Sequence, residues 1–182
     1  MNKILLKIAR ASILEVFENK PLINKKELIK EYPFLAEQRA TFVTLKIDGN
    51  LRGCIGSILP RMSLIDDVIY NAKQAAFNDP RFKPLTPQEY EKIKIEVSIL
   101  TIPEKMEYED EKDLKRKIRP KIDGVILSLA DKQATFLPSV WDELPLFEIF
   151  FGHLCMKAGM QGDCLKYHPL IYTYQTNSIE ED

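Results

Sequence analysis

Residues 41–56 read TFVTLKIDGNLRGCIG, and their pattern decides the fold class. Val43, Leu45 and Ile47 alternate with Thr44 and Lys46, the period of a half-buried strand. Asp48-Gly49 supplies residues that tolerate a left-handed backbone, so the segment 51–58 (LRGCIGSI) is expected to return as an antiparallel partner. Two-residue turns of this kind belong to antiparallel sheet rather than to a parallel crossover design.

Upstream, Leu5, Ile8, Ala9, Ile13, Val16 and Phe17 fall on one face of a helix. Downstream, Ser63 can cap a helix running to about Asn78, with Ile65, Val68, Ile69, Ala72 and Ala76 on its inner side. Residues 78–87 (NDPRFKPLTP) hold too many prolines for regular structure, and Thr86-Pro87-Gln88-Glu89 has the cap, first-turn proline and capping-box glutamate of a short helix. Ile93, Ile95, Val97 and Ile99 alternate with Lys94, Glu96 and Ser98 as a second strand pattern. The charged run 104–119 reads as a solvated helix or linker. Val125–Leu129 and Ala134–Leu137 read as another hairpin around Asp131-Lys132-Gln133. Leu146–Ala158 reads as an apolar helix stopped by Gly159, and Ile171–Tyr174 as a last strand. Hairpins on either side of a charged stretch predict an α+β fold of two closely packed lobes, with mainly antiparallel sheets flanked by helices. Residues from about 35 to 103 form one lobe in this reading, and the N-terminal helix joins about 120–176 in the other.

The 182 residues are enough for one domain of this kind, with 45% apolar and 29% charged content. Lys plus Arg number 26 against 27 Asp plus Glu, a balance that argues against a dedicated nucleic-acid binder. Lys7, Arg10 and Glu15 interrupt the apolar N-terminal segment, which reads as neither a signal peptide nor a membrane span. Three cysteines without an export signal read as reduced thiols in a cytoplasmic protein.

In a regular strand Leu51, Gly53 and Ile55 share the core face, and Arg52, Cys54 and Gly56 share the other. An arginine beside a thiol favours the thiolate, which makes Cys54 a candidate nucleophile and Arg52 its activator. The competing reading is a small buried cysteine with glycines that relieve crowding. Asp79-Pro80-Arg81-Phe82 offers either an internal Asp79–Arg81 pair or an arginine that clamps an anionic ligand. Glu96 stands on the polar side of its strand, as a partner for Arg52 or Arg81 or as a solvated carboxylate. His153, Cys155, Cys164 and His168 are metal-ligand types, but their spacing lacks Cys-x-x-Cys, and structural or pocket-lining roles are the expectation. His153 and Lys157 share a helix face at i and i+4. No phosphate-binding loop, dinucleotide fingerprint, Gly-x-Ser-x-Gly or His-Glu-x-x-His occurs, and no residue pattern names a cofactor.

The segments LRGCIG (51–56), AAFNDPRFKPL (75–85), YEKIKIEVSIL (90–100), DGVILSLADKQATFLPSVW (123–141) and FGHLCMKAGM (151–160) together resemble the AMMECR family, the AmmeMemoRadiSam system protein A of microbes. Met160 stands where leucine is usual, and Asp123-Gly124-Val125-Ile126 lacks a second glycine found in many relatives. The resemblance implies a two-lobed α+β fold with LRGCIG on a strand beside a cleft, and association with Memo-like and radical-SAM proteins. It carries over Arg52, Gly53, Cys54, Gly56, Asp79, Arg81, Phe82, Glu96 and Lys157 as motif positions. Two functions follow as expectations. One is a catalytic subunit using Cys54, Arg52 and Glu96, with Gly53, Gly56, Asp79, Arg81, Phe82, His153 and Lys157 around a ligand; the other is a binding or adaptor module using the same groove for a protein or peptide partner.

Overall fold

A computed structural model describes residues 3–182. The chain divides into two compact units, one reaching to Leu100 and rejoined by Asn177–Asp182, the other Thr101–Thr176. The expected α+β fold with antiparallel sheets is present, with one four-stranded sheet in each unit. No helix among the described residues is long and apolar enough to cross a membrane.

In the first unit, helix α1 (Ile4–Glu18) is followed by α2 (Lys25–Glu31), β1 (Thr41–Ile47), β2 (Asn50–Gly56), α3 (Leu64–Phe77), the short α4 (Pro87–Tyr90) and β3 (Lys94–Leu100). The closing strand β8 (Thr176–Glu180) completes a sheet of order β2-β1-β3-β8. The Asp48-Gly49 turn takes φ of 51° and 78°, as the hairpin reading requires. Ser63 caps α3 by accepting from the Asp66 N–H, and Thr86 and Glu89 form a complete capping box on α4. Val43, Leu45, Ile95 and Val97 pack with Leu5, Ile8, Ile13, Ile65 and Val68 in one core.

Two expectations fail here. Helix α1 packs on α3 and β3, not with residues 120–176, because its apolar stripe matches α3 and Arg10 ties it to Glu181 and to the Tyr90 and Ile93 carbonyls. The strand β2 is also not regular. Leu45 faces Gly53 but Lys46 faces Leu51, so Arg52 is an extra residue in a bulge. That shift leaves Leu51 exposed instead of core-facing.

In the second unit, β4 (Glu104–Met106), α5 (Glu111–Lys117), β5 (Gly124–Leu129), β6 (Lys132–Phe136), α6 (Val140–Glu143), α7 (Phe147–Lys157) and β7 (Leu170–Tyr174) follow in order. The antiparallel sheet has order β4-β7-β5-β6. The charged stretch thus contains a strand and a capped helix, not a linker. Trp141 is fully buried, stacks on Phe150 at 3.6 Å and donates its indole N–H to the Asp123 carbonyl. Gly159 ends α7 with φ of 78° and turns the chain back, so that Cys164 meets Cys155 across a Cα separation of 5.8 Å. The two form a disulfide, which corrects the expectation of three reduced thiols; Cys54 is the free one among the described residues.

Candidate functional site

The LRGCIG strand lies at the edge of the first sheet, with β1 on one side only. Cys54 faces Thr44 on β1, and Thr44 faces Glu96 on β3, so the three side chains cross the sheet in one row. This row lies on the face opposite the α1–α3 core, since the neighbouring Val43, Leu45 and Val97 are the core-facing positions. Lys46 continues it, pairing with Glu96 at 2.8 Å and Glu180 at 3.1 Å. Ser98 bonds Ser178 at 2.7 Å beside them.

Gly53 faces the helix side. A Cβ there would lie 2.2 Å from the Ala75 carbonyl oxygen, so glycine is what allows α3 to seat on β2. Gly56 is covered by the Phe42 ring from the adjacent strand, and a Cβ would fall within 2.2 Å of it. At both positions the close approach comes from the chain's own atoms.

The main chain of Cys54 points away from β1 and meets the DPRF segment. Asp79 accepts from the Cys54 N–H at 2.9 Å, and the Arg81 guanidinium donates to the Cys54 carbonyl at 3.2 Å. Asp79 and Arg81 close on each other at 2.7 and 3.0 Å. These two side chains therefore staple the open edge where another strand would otherwise bond. The Arg81 guanidinium, with the Cys54 and Arg81 N–H groups, holds the Asp79 carboxyl down at about 2.

The bulge sends Arg52 to the same segment rather than alongside Cys54. Arg52 makes a two-point pair with Glu89 at 2.9 and 3.0 Å and donates to the Lys83 carbonyl. The Arg52 pair and the Thr86 N–H bring Glu89 down to about 2. Phe82 lies between the two arginines, its ring centre 5.7 Å from the Arg52 guanidinium carbon and 5.5 Å from that of Arg81.

The Cys54 thiol is correspondingly not activated. Burial pushes it up from its ordinary value. A hydroxyl donor from Thr44 at 3.3 Å and the charge of Arg81 pull the other way without reversing the shift. Arg52 is thus not the activator that strict alternation suggested, and the partner of Glu96 is Lys46 rather than either arginine. Glu89, which reads in the sequence only as a cap, also pairs with Arg52, and Thr44 and Lys46, which read only as outward strand positions, meet Cys54 and Glu96.

His153 and Lys157 belong to the second unit. His153 is exposed on α7, while Lys157 donates to the Thr135 carbonyl at 2.9 Å with its ammonium 4.9 Å from the Phe136 ring centre. The ammonium thus supports the outer strand β6. His168 stacks on Tyr108 at 4.2 Å. No group of three or more His, Cys, Asp or Glu side chains is gathered as a metal site among the described residues, and the disulfide takes Cys155 and Cys164 out of ligation.

Fold and site together define an α+β protein of two antiparallel units whose LRGCIG edge strand is stapled by a DPRF turn. The sequence profile of the AMMECR1 family matches residues 6–179, and the chain belongs to that family. A protein of Methanothermobacter thermautotrophicus is 38% identical over 185 residues, covering 98% of this chain and 93% of its own length. Protein MK0488 of Methanopyrus kandleri is 37% identical over 98% of this chain and 87% of its own. The crystal structure of protein PH0010 from Pyrococcus horikoshii superposes with a TM-score of 0.89 at 32% identity, covering 99% of this chain and 91% of that one.

Proposed function

We propose that this chain is a non-catalytic binding or adaptor module, working beside Memo-like and radical-SAM proteins. In this reading the half-buried polar face of the first sheet (Thr44, Lys46, Cys54 and Glu96) is the recognition surface. One observation carries it: both motif arginines are paired with carboxylates of the chain itself, while burial pushes the thiol up and favours its neutral form. A neutral thiol is a poor nucleophile, and an arginine already in a two-point pair must break that pair to clamp a substrate. A row of hydroxyl, thiol, ammonium and carboxylate groups across a rigid sheet can instead read a partner's polar groups. Whether the partner is the Memo-like or the radical-SAM protein is set by which of them the row contacts.

The test pairs two measurements. Iodoacetamide labelling of Cys54 against pH, in a Cys155→Ser, Cys164→Ser background, is expected to titrate above the free-thiol value of about 8.5. Binding of the Memo-like and radical-SAM proteins, measured by calorimetry, is expected to survive Cys54→Ser and to weaken by about tenfold or more in Lys46→Glu. A thiol titrating well below about 8.5 and returning toward it in Arg81→Ala would instead favour the catalytic reading.

A further inference from the structure

Four carboxylates are buried among the described residues: Asp67, Asp79, Asp113 and Asp123. Three of them pair with basic side chains, Asp79 with Arg81, Asp113 with Arg116 and Lys117, and Asp123 with Arg119. Asp67, only 1% exposed, departs from that rule. Its donors are the Thr41 N–H at 2.8 Å, the Thr41 hydroxyl at 2.7 Å and the Asn71 amide nitrogen at 2.9 Å, and all three reach Oδ2. Oδ1 is buried with no hydrogen-bond partner among the described residues. A carboxyl group taken out of water in this way is costly until a positive species neutralises it.

The neighbouring side chain repeats the pattern. Asn71, also 1% exposed, directs its amide nitrogen to Asp67, to the Thr41 carbonyl at 3.0 Å and to the Ser57 hydroxyl at 3.2 Å. Its Oδ1 is likewise buried without a partner among the described residues. The two orphan oxygens thus belong to the two terminal groups that the Asn71–Asp67 bond joins, one turn apart on α3. Thr41 opens β1 and Ser57 directly follows β2, so the cluster lies at the end of the hairpin away from the Asp48-Gly49 turn. Ser57, half-buried, is its outermost member.

The cluster offers carboxylate, amide, hydroxyl and main-chain oxygens, hard donors that suit alkali and alkaline-earth ions rather than zinc or copper. One carboxylate carries a single negative charge, which a monovalent ion balances and a divalent ion exceeds. The first turn of α3 supplies only a partial positive charge, and Asp66 shares that turn. From this arrangement we infer that Asp67 and Asn71 hold a monovalent alkali cation, sodium or potassium, through their Oδ1 atoms. The ion takes the place that arginine or lysine has at the other buried carboxylates, and it ties α3 to the start of β1. The inference is independent of the recognition face, whose four residues lie outside the cluster.

Urea unfolding at pH 8 is compared in sodium and potassium chloride, with tetramethylammonium chloride making up a constant ionic strength. Above its dissociation constant, one bound ion is expected to raise the folded-to-unfolded ratio about tenfold for each tenfold rise in its concentration. Tetramethylammonium, which is too bulky for a buried cluster, is expected to leave the ratio unchanged. Asp67→Asn is expected to remove the dependence on sodium and potassium. Should that variant fold poorly, crystals of the parent protein soaked in thallium(I) acetate report on the site directly, with an anomalous peak expected against Asp67 Oδ1 and Asn71 Oδ1. Equal unfolding curves in the three salts, the mark of a proton or a water in the cluster, would overturn the inference. An ion dependence that persists in Asp67→Asn, or a thallium-soaked crystal with no anomalous peak on these oxygens, would overturn it as well.

Discussion

Replacing Asp79 by asparagine removes the charge of the edge staple while nearly preserving its shape. Asp79 is 4% exposed, and its carboxylate accepts from the Cys54 N–H, the Arg81 N–H and two Arg81 guanidinium nitrogens. Its folded-state value near 2 lies below the 3.8 of a free side chain. At about 1.4 kcal/mol per unit, that difference is worth about 2 kcal/mol to the folded state near neutral pH. Because the folded value is the lower one, the stabilisation is complete above the unfolded pKa. It is lost as the pH falls through the folded one, about half of it by pH 3. Guanidinium chloride unfolding at pH 7 is thus expected to find Asp79→Asn about 2 kcal/mol less stable than the parent. Across pH 5 to 2.5 the gap is expected to close, since the variant has no carboxylate there to protonate. Other depressed carboxylates, Glu89 among them, titrate in both proteins and cancel in the difference. A gap of the same size at both ends of this range would refute the assignment of the stabilisation to the ionised Asp79.

Gly53→Ala is expected to destabilise by about 2 kcal/mol or more in chemical unfolding, because its methyl meets the backbone of Ala75 and α3 must move. Gly49→Ala, with open space around it but φ of 78°, is expected to cost only about 1 kcal/mol. Reduction of Cys155–Cys164, or its replacement by two alanines, is expected to lower stability by about 2–3 kcal/mol, the loop-closure value for cysteines 9 positions apart. Trp141→Phe is expected to cost about 2 kcal/mol, since it leaves the buried Asp123 carbonyl without its donor and thins the stack on Phe150.

Much of the fold was legible because its signals are local. The hairpin of 41–56, the Ser63 cap, the Thr86–Glu89 capping box and the Gly159 stop each depend on residues within a few positions of one another, and each stands in the structure. The site was legible only in part. Arg52 finds Glu89 at a separation of 37 residues, and the bulge that turns it there arises from the register of β2 on β1, which alternation alone cannot reveal. The placement of α1 failed for a related reason, since an apolar stripe states that a partner exists and not which one. The short strand β4 lay hidden in a charged run because only Met106 of its three residues is partly buried. The disulfide had no sequence signal beyond an odd count of cysteines, since pairing depends on how the chain reverses after α7.

The motif positions divide by what their atoms touch. Asp79 and Arg81 hold the main chain of Cys54 at the outer edge of one sheet, and Lys157 holds the main chain of Thr135 on the outer strand of the other. Gly53 is required by the backbone of Ala75. All of these would be needed in a protein with no chemistry at all, because unpaired strand edges and crowded helix–sheet contacts are costs of folding alone. Cys54 differs. Its main chain serves the staple, while its sulfur accepts from Thr44 in the row on the opposite, half-buried polar face. Cys54→Ser therefore changes the face and leaves the staple, whereas Asp79→Asn weakens the staple and leaves the face. Partner binding is expected to survive both substitutions and to fall in Lys46→Glu, while stability falls in Asp79→Asn, so that recognition and architecture are separate properties of this one segment. Binding that falls with Asp79→Asn while Lys46→Glu leaves it intact would instead place recognition at the edge staple of Asp79 and Arg81.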